Sequence, residues 1–308
     1  MSKIGFIFPG QGAQEVGMGQ ELYNEYPEIA DYFNRAEEIL DLDLKRICFE
    51  GPEFDLNLTE NTQPALFTMS AAIDNYLKKQ GLVPDMVAGH SLGEYSALTS
   101  AGAINFEDNL KLVRQRGQAM EEALPAGLGT MAAIIGLDID TIEDICSKVV
   151  GVCEVANINT PNQIVISGEK EAIATAMERL NNAGAKKVVE LSVSGPFHSS
   201  LMEPAVNRLK SVIENVEIKD ASIPIVANAT AEKVIDSNII EENLIAQLTS
   251  SVRWVESINL MIDEGIDTFV EVGSGRVLKG LLRRIDRSVD CYSTRNIKDL
   301  EKIIGELI

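Results

Sequence analysis

The sequence predicts an α/β protein built on a mostly parallel sheet, with a smaller ferredoxin-like unit inserted into it. Short apolar runs alternate with helical stretches along most of the 308 residues, a pattern typical of parallel sheets. Between residues 127 and 197 the order becomes strand, helix, strand, strand, helix, strand, which is the ferredoxin-like order. We therefore expect a large lobe from residues 1–126 and 198–308 and a small lobe from residues 127–197.

The first part of the chain predicts two buried strands separated by two long helices. Residues 4–8 form an apolar run that leads into a glycine-rich loop at 9–14. Apolar residues at helical spacing predict helices over 21–40 and 59–79, and the run at 86–88 predicts the second strand. The loop is either a plain strand-to-helix turn or a source of backbone N–H groups that stabilise an oxyanion.

The second strand leads into the sequence GHSLG at 89–93, after which residues 94–98 have helix-forming character. Strand, tight turn and helix in this order are the setting of the G-x-S-x-G nucleophile elbow in α/β-hydrolase-like folds. Gly89 and Gly93 allow close packing, and the turn presents Ser91 at a helix N-terminus, where developing negative charge is favoured. His90 adjoins Ser91 on a tight turn, where neighbouring side chains diverge, so it is a poor base. The sequence thus predicts an α/β-hydrolase-like core with Ser91 as nucleophile.

A helix over residues 106–123, with Asn105 as its cap, carries an arginine on its apolar side. Arg116 lies four residues from both Leu112 and Met120, which belong to the apolar stripe. A buried guanidinium needs an anionic partner, because an unpaired buried charge is very costly. That partner is either an internal carboxylate or the carboxylate of a substrate.

The small lobe is predicted as four strands and two helices between two hinges. The strands are expected at 131–135, 154–157, 163–167 and 188–193, and the helices at 140–150 and 170–183. Pro125-Ala126-Gly127 and Gly195-Pro196 are the predicted hinges. His198 follows the second hinge, at a domain junction where clefts form, and is therefore the better candidate base for Ser91.

The rest of the chain returns to alternating helices and strands of the large lobe. Helices are expected over 201–213, 244–262, 276–285 and 300–307, and strands at 224–227, 268–272 and 289–293.

Composition excludes several classes of function. Hydrophobic residues at 45% and charged residues at 24% indicate an ordinary globular protein, and the net charge of −20 disfavours nucleic-acid binding. With two histidines and four cysteines but no C-x-x-C, we expect reduced thiols, no metal site and no cofactor. The first residues do not resemble a signal peptide and no apolar run has membrane-spanning length, so we expect a cytoplasmic protein without a membrane partner.

Eight stretches distributed over the whole chain resemble those of the malonyl-CoA:acyl carrier protein transacylases, the acyltransferases that load malonyl units in fatty acid biosynthesis. They are FPGQGAQ (8–14), ENTQPAL (60–66), AGHSLGEYSAL (88–98), RQRGQAM (114–120), NTPNQIVISG (159–168), GPFHSSLM (195–202), QLTSSVRW (247–254) and EVGSGRVL (271–278). Ser251 and Ser274 depart from the family, which commonly has proline at both positions.

The resemblance implies a role for each matching residue. Ser91 would form the acyl ester and His198 would act as general base and then acid. The backbone N–H groups of Gln11 and Leu92 would form the oxyanion hole, and Arg116 would hold the free malonyl carboxylate. Three further residues have supporting roles. They are Gln247, whose backbone carbonyl would orient the histidine, Gln63, which would line the pocket, and Phe197, whose bulk would exclude an α-methyl group.

The implied reaction is transfer of malonyl from malonyl-CoA to the phosphopantetheine thiol of acyl carrier protein through an acyl-enzyme. The main alternative is a serine esterase or thioesterase on the same elbow. Such a hydrolase commonly places Asp or Glu between serine and histidine in chain order, and acidic residues are frequent between 91 and 198. A third hypothesis is that the protein is a carrier-protein docking module without enzymatic activity.

Overall fold

The computed structural model describes residues 2–125 and 127–308, which form two β-sheets surrounded by helices. The strands are β1 (Lys3–Phe8), β2 (Met86–Gly89), β3 (Gly129–Ile135), β4 (Cys153–Thr160), β5 (Gln163–Glu169), β6 (Lys187–Glu190), β7 (Ile225–Val226), β8 (Lys233–Val234), β9 (Ile266–Glu271) and β10 (Asp290–Ser293). The helices are α1 (Gln20–Glu25), α2 (Pro27–Leu40), α3 (Leu44–Phe49), α4 (Glu53–Asn57), α5 (Thr59–Lys79), α6 (Leu92–Ser100), α7 (Phe106–Glu122), α8 (Ile139–Ser147), α9 (Lys170–Asn182), α10 (Glu203–Ile213), α11 (Ser237–Gln247), α12 (Trp254–Asp263), α13 (Val277–Ile285) and α14 (Ile297–Leu307).

The larger sheet has six strands in the order β10-β9-β1-β2-β7-β8. Its strands run parallel except β8, which pairs antiparallel with β7. At the carboxyl ends of β1 and β2, Phe8 lies opposite Gly89. Because parallel strands end at the same edge of a sheet, the segments that follow β1, β2 and β7 meet there. The predicted, mostly parallel sheet is confirmed, and it brings residues 9–14 beside 89–93.

Both faces of this sheet are buried. In β1, Phe6 and Phe8 pack into a cluster with α5, α6 and α7, whereas Ile7 packs into a second cluster with α12 and α13. Successive side chains of a strand point to opposite faces, so helices cover the sheet on both sides. Such a layered core holds the strand ends, and any site built on them, in fixed positions.

The smaller sheet is antiparallel, with the strand order β4-β5-β3-β6. It is formed by the predicted succession of strand, helix, strand, strand, helix, strand, and α8 and α9 pack against it in a separate apolar cluster. Val252, which precedes α12, pairs with β4, donating its N–H to Ala156 O at 2.8 Å and accepting from Ile158 N at 2.9 Å. This pairing connects the smaller sheet to the segment before α12.

Two segments predicted as helices, the second as helical or nearly so, are each interrupted, and the prediction of a single helix is wrong for both. Over residues 21–40 the chain forms α1 and α2, because Pro27 begins α2 and Tyr26 before it is extended, with φ −115° and ψ 106°. Over residues 244–262 the chain leaves α11 after Gln247 and enters α12 at Trp254. The intervening segment contains Val252, whose pairing with β4 is incompatible with a helix.

Other differences from the prediction are smaller. The helix predicted over 201–213 starts as a 3₁₀ turn, Ser200–Met202, before α10. Helices α3 and α4, strand β8 and the first two turns of α11 were not predicted, since segments this short show little periodicity. The remaining elements lie where the sequence predicts, most of them with shifted ends. Ala126 of the first predicted hinge lies outside the described residues. Within those residues no helix combines the length and hydrophobicity needed to cross a bilayer.

Candidate active site

Ser91 occupies the turn between β2 and α6 in a strained backbone conformation. Its φ of 52° and ψ of −108° are rare for a residue with a Cβ and cost about 1–3 kcal/mol. Two glycines make the turn possible. A Cβ on Gly89 would lie 1.9 Å from the carbonyl carbon of Gly93, and a Cβ on Gly93 would lie 2.0 Å from Phe8 O. The predicted strand, turn and helix are therefore present, with Ser91 at the N-terminus of α6.

His198, although distant in sequence, lies directly against Ser91. Its Nε2 is 2.7 Å from Ser91 Oγ, and its Nδ1 is 2.9 Å from the backbone carbonyl oxygen of Gln247. A carbonyl can only accept, so Nδ1 carries the proton and Nε2 is left to accept from the serine hydroxyl. Gln247 can offer this carbonyl because α11 ends there.

Arg116 is 1% exposed and is held by neutral groups. Its two terminal nitrogens donate to Gln63 Oε1 at 2.9 Å, to Gln247 Oε1 at 2.9 Å and to Ser91 Oγ at 3.2 Å. The guanidinium also lies 5.1 Å from the centre of the Tyr95 ring. Among the described residues, Arg116 forms no salt bridge and its Nε has no hydrogen-bond partner. The sequence allowed an internal carboxylate as the partner of Arg116. Within this part of the chain, no carboxylate is in direct contact with its guanidinium.

Two residues of the site were missed at the sequence level, Glu94 and Asn228. Glu94 is 3% exposed, and its Oε2 accepts from Gln247 Nε2 at 2.6 Å and from Asn228 N at 3.2 Å. Asn228 Oδ1 accepts from Ser91 N at 2.7 Å, and its Nδ2 donates to Gly89 O at 2.6 Å. Asn228 thus fixes the turn that carries the nucleophile. The sequence signal for Glu94 was weak, because an acidic residue in the first turn of a helix is ordinarily an exposed one that complements the dipole.

His90 lines the same cavity as Ser91 but forms its side-chain hydrogen bond with a different residue. Its Nε2 is 2.8 Å from Asn159 Oδ1, and its ring meets that of Trp254 edge-on with centroids 5.5 Å apart. Burial lowers the pKa of His90. The histidine beside Ser91 in sequence is therefore a packed and hydrogen-bonded side chain between Asn159 and Trp254.

The two N–H groups expected to form an oxyanion hole border the same cavity as Ser91. Gln11 lies in the loop after β1 and Leu92 is the first residue of α6, and both line the cavity. Neither backbone N–H is engaged in a hydrogen bond with any residue of 2–125 or 127–308. Both donors are therefore available to an added group.

Burial changes the protonation equilibria of the site. Burial, reinforced by the nearby Arg116 charge, lowers the pKa of His198 to about 3, so its imidazole is neutral at physiological pH. Burial raises the pKa of Glu94 to about 7, although hydrogen bonds from Gln247 and Asn228 and the charge of Arg116 act in the opposite direction. The imidazole of His198 is thus unprotonated at rest, and the buried carboxyl titrates near neutrality.

The cavity, of about 100 Å³, has two sides of opposite character. We call the polar network beneath it the floor, which consists of Gln63, Ser91, Glu94, Arg116, His198 and Gln247. We call the apolar side the wall, which consists of Met131, Leu191, Val193 and Phe197. No group of three or more His, Cys, Asp or Glu residues suited to a metal occurs in the described portion of the chain.

The site has a serine hydrogen-bonded to a histidine at the carboxyl edge of a parallel sheet, with free N–H donors nearby. Enzymes that transfer acyl groups use this arrangement. The acyl transferase domain family matches residues 5–307. The chain is 46% identical over 310 residues to the malonyl CoA-acyl carrier protein transacylase of Bacillus subtilis (strain 168), covering 100% of this chain and 98% of that protein. The chain therefore belongs to this family of acyltransferase enzymes.

Two solved structures support the assignment. The malonyl CoA-acyl carrier protein transacylase of Coxiella burnetii superposes with a TM-score of 0.97 at 40% identity, covering 99% of this chain and 98% of the other. A malonyl-transacylase solved in complex with its type II PKS acyl-carrier protein gives a TM-score of 0.97 at 38% identity, with 99% of both chains covered. The mixed α/β fold with its parallel sheet is thus shared along the full length of the chain.

Proposed function

We propose that this acyltransferase moves the malonyl group from malonyl-CoA to the phosphopantetheine thiol of acyl carrier protein through an ester on Ser91. The observation that carries the proposal is the convergence of Ser91, His198 and Arg116 on one cavity. Ser91 Oγ lies 2.7 Å from His198 Nε2 and 3.2 Å from a terminal nitrogen of Arg116. The names of the relatives supply the two substrates, malonyl-CoA and acyl carrier protein.

In the first half-reaction Ser91 attacks the thioester carbonyl while His198 Nε2 takes the hydroxyl proton. General base catalysis of this kind contributes about 10²–10⁴ in rate. The N–H groups of Gln11 and Leu92 stabilise the tetrahedral oxyanion, and loss of one such donor typically costs about 3–4 kcal/mol. His198 then returns the proton to the sulfur, and CoA leaves as the thiol.

The second half-reaction repeats these steps with the thiol of the carrier protein. His198 takes the thiol proton, the sulfur attacks the ester carbonyl, and the proton returns to Ser91 Oγ. No net proton is gained or lost in either half-reaction. The same oxyanion donors serve both, because the tetrahedral centre forms at the same carbonyl carbon.

Arg116 provides the selection for a dicarboxylic acyl group. Its Nε is unpartnered among the described residues, and its terminal nitrogens are 2.9 Å from two neutral amide oxygens. A planar guanidinium binds a carboxylate through two parallel hydrogen bonds, so a malonyl carboxylate is its natural partner. Gln63 and Gln247 hold the guanidinium in place, and Phe197 restricts the space beside the acyl carbon.

The hydrolase alternative is weakened by the group that orients the histidine. Common α/β-hydrolases use a carboxylate there, whereas here His198 Nδ1 meets the neutral carbonyl of Gln247 at 2.9 Å. The wall is apolar, which favours exclusion of water from the ester.

The decisive experiment is mass spectrometry of the intact protein after mixing with malonyl-CoA, acetyl-CoA and methylmalonyl-CoA side by side. A persistent malonyl ester on Ser91 that the thiol of holo acyl carrier protein discharges supports the transferase. Rapid loss of the ester to water supports the esterase or thioesterase. If no acyl adduct forms and no CoA is released, the result supports the third hypothesis, a carrier-protein docking module without enzymatic activity.

We further propose that the two lobes have the boundaries expected from the sequence, 1–126 with 198–308 and 127–197. The larger would be an α/β-hydrolase-like core and the smaller a ferredoxin-like unit. The order β4-β5-β3-β6 and a separate apolar cluster with α8 and α9 support an independent small lobe. Limited proteolysis that cuts first near residues 125–127 or 195–196 and releases a compact fragment of the small lobe tests this division.

A further inference from the structure

Glu94 is a buried carboxyl beneath the nucleophile that the proposed reaction does not use. It lies in the first turn of α6, three residues after Ser91, and is 3% exposed. Its Oε2 accepts from Gln247 Nε2 at 2.6 Å and from Asn228 N at 3.2 Å. A carboxyl without a direct ion pair is expensive to bury, so a specific reason for its presence is expected.

Gln247 connects this carboxyl to Arg116. Its Nε2 donates to Glu94 and, at 3.0 Å, to Ser91 O, which leaves Oε1 facing Arg116 at 2.9 Å. An amide that donates to a carboxylate cannot flip without placing an oxygen against it. Glu94 therefore fixes the orientation of the Gln247 amide, and through it the position of the guanidinium.

The charges of the floor balance only when Glu94 is counted. Arg116 is fully buried, and its nearest neighbours Gln63, Gln247 and Ser91 are neutral. Glu94 is the carboxyl whose charge interacts with Arg116, across the Gln247 amide. A malonyl carboxylate bound to Arg116 would place a second negative charge in the same buried space, where two anions cannot both remain ionised at low cost.

We propose that Glu94 is the counter-ion of Arg116 in the resting enzyme and gives up this role to the malonyl carboxylate, taking up a proton as the acyl-enzyme forms. Glu94 is then a positioning residue that acts through Gln247. The inference rests on the proposed function, since it requires an acyl group with a free carboxylate. The proposal predicts that a proton is taken up from solution as the malonyl ester forms. Acylation itself consumes no proton from solution, because the proton of Ser91 leaves with CoA as its thiol.

The other titratable groups near Glu94 can be distinguished from it. Tyr95, on the same helix, has its pKa raised to about 12 by burial, so it stays neutral. His198 is neutral at rest because its pKa is lowered to about 3. Burial also lowers the pKa of His90, which is hydrogen-bonded to Asn159. Of the titratable groups just named, His198 is the one that could take up a proton in place of Glu94 when a second carboxylate arrives.

The test measures proton uptake during acylation of the full-length enzyme at pH 8 in weak buffer with an indicator dye. Glu94, whose pKa is raised to about 7, is then mostly ionised at rest. Malonyl-CoA should cause uptake of about 0.5–1 proton per ester formed, and acetyl-CoA should cause almost none. The acetyl reaction also corrects for ionisation of the released CoA thiol. Mass spectrometry of the same samples counts the esters.

Two variants identify the group that takes up the proton. Glu94→Gln keeps an oxygen for Gln247 and Asn228 but cannot titrate, so its malonyl ester should form without proton uptake. Asp74→Asn alters another buried carboxyl, which pairs with Lys78 at 2.8 Å, and should retain the uptake.

Each outcome decides the matter. Equal proton uptake with malonyl-CoA and acetyl-CoA in the unmodified enzyme overturns the proposal, as does undiminished uptake in Glu94→Gln, which would assign the proton to His198. Failure to form any malonyl ester contradicts the proposed function itself and is seen separately in the mass spectra. Should Glu94→Gln fail to fold, the comparison of the two acyl-CoA substrates with the unmodified enzyme still decides.

Discussion

The floor and the wall of the cavity are built on different principles. In the floor, each polar side chain is held by at least one hydrogen bond of 3.2 Å or less. These groups come from the turn after β2, from α5, α6, α7 and α11, and from the segment that follows residues 195–196. The wall comes from the region of the small sheet and presents apolar side chains. The hydrogen-bonded polar groups and the apolar side chains of the wall thus come largely from different parts of the chain.

This difference predicts different consequences of mutation. A floor residue shares its hydrogen bonds with neighbours, so its loss leaves buried polar groups unsatisfied and should affect the reaction strongly. A wall residue contributes volume and dispersion, so its loss should change which acyl group fits more than how fast it reacts.

The largest effect is expected for Ser91→Ala. Removal of a nucleophile typically costs about 10⁴–10⁶ in rate, because only binding and the oxyanion donors remain. Malonyl transfer to acyl carrier protein should fall to that extent, and no ester should appear in the mass spectrum. Ser96→Ala is the matched control, since Ser96 is buried on the same helix and its Oγ has no partner among the described residues. Transfer above about 1% of the normal rate in Ser91→Ala would remove this serine from the mechanism.

The next largest effect tests charge recognition by the floor. Arg116→Ala should lower malonyl transfer about 10²–10³-fold, because truncation of one partner of a buried charged pair costs about 3–4 kcal/mol. Acetyl transfer should be spared or rise, since acetyl has no carboxylate. Arg114→Ala is the control, because Arg114 pairs with Glu60 at 3.2 Å on the polar side of α7. Equal loss for malonyl and acetyl would mean that Arg116 is structural.

The long periodic segments of the chain were predictable, and the interruptions between them were not. The apolar spacing of α5 gave its limits, residues 59–79, without error. The break after Gln247 depends on pairing between Val252 and β4, a contact across about a hundred residues that local periodicity does not contain. That break is also what frees the Gln247 carbonyl for His198, so the missed boundary lies in the site itself.

The site was predictable where a residue type is unusual for its position. Arg116 stood out because a guanidinium interrupts an apolar stripe, and His198 because only two histidines exist. Glu94 did not stand out, because an acidic residue in the first turn of a helix ordinarily complements the dipole at the surface. Only the fold shows that Glu94 is buried beneath Ser91. Only the fold shows that Gln247 contacts His198 through its backbone carbonyl and both Arg116 and Glu94 through its side-chain amide.

A smaller effect concerns the stability of the floor. The pKa of Glu94 is about 7 in the folded protein against an ordinary 4.5, so between these values the folded state binds a proton that the unfolded state has lost. Stability from this group therefore falls as pH rises from about 4.5 to 7, by about 3 kcal/mol at 1.36 kcal/mol per unit. In urea unfolding, Glu94→Gln should gain about 2.5 kcal/mol relative to the unmodified protein between pH 5 and pH 8, because part of the effect is already present at pH 5. Exposed Glu171→Gln should show no such change, and a constant difference for Glu94→Gln would refute the shift.

The smallest effect is expected on the wall, and it should appear in selectivity. Phe197 is 5% exposed and lines the cavity immediately before His198. Phe197→Ala opens room for an α-methyl group, and one methyl in an apolar pocket changes discrimination by about 1–3 kcal/mol. The ratio of acylation rates with methylmalonyl-CoA and malonyl-CoA should rise about tenfold, with a smaller rise in Phe197→Leu. Because the floor is intact in both variants, the malonyl rate itself should change less than the ratio. A parallel fall of both rates would instead mean that Phe197 positions His198, and the division between a reacting floor and a selecting wall would not hold at this residue.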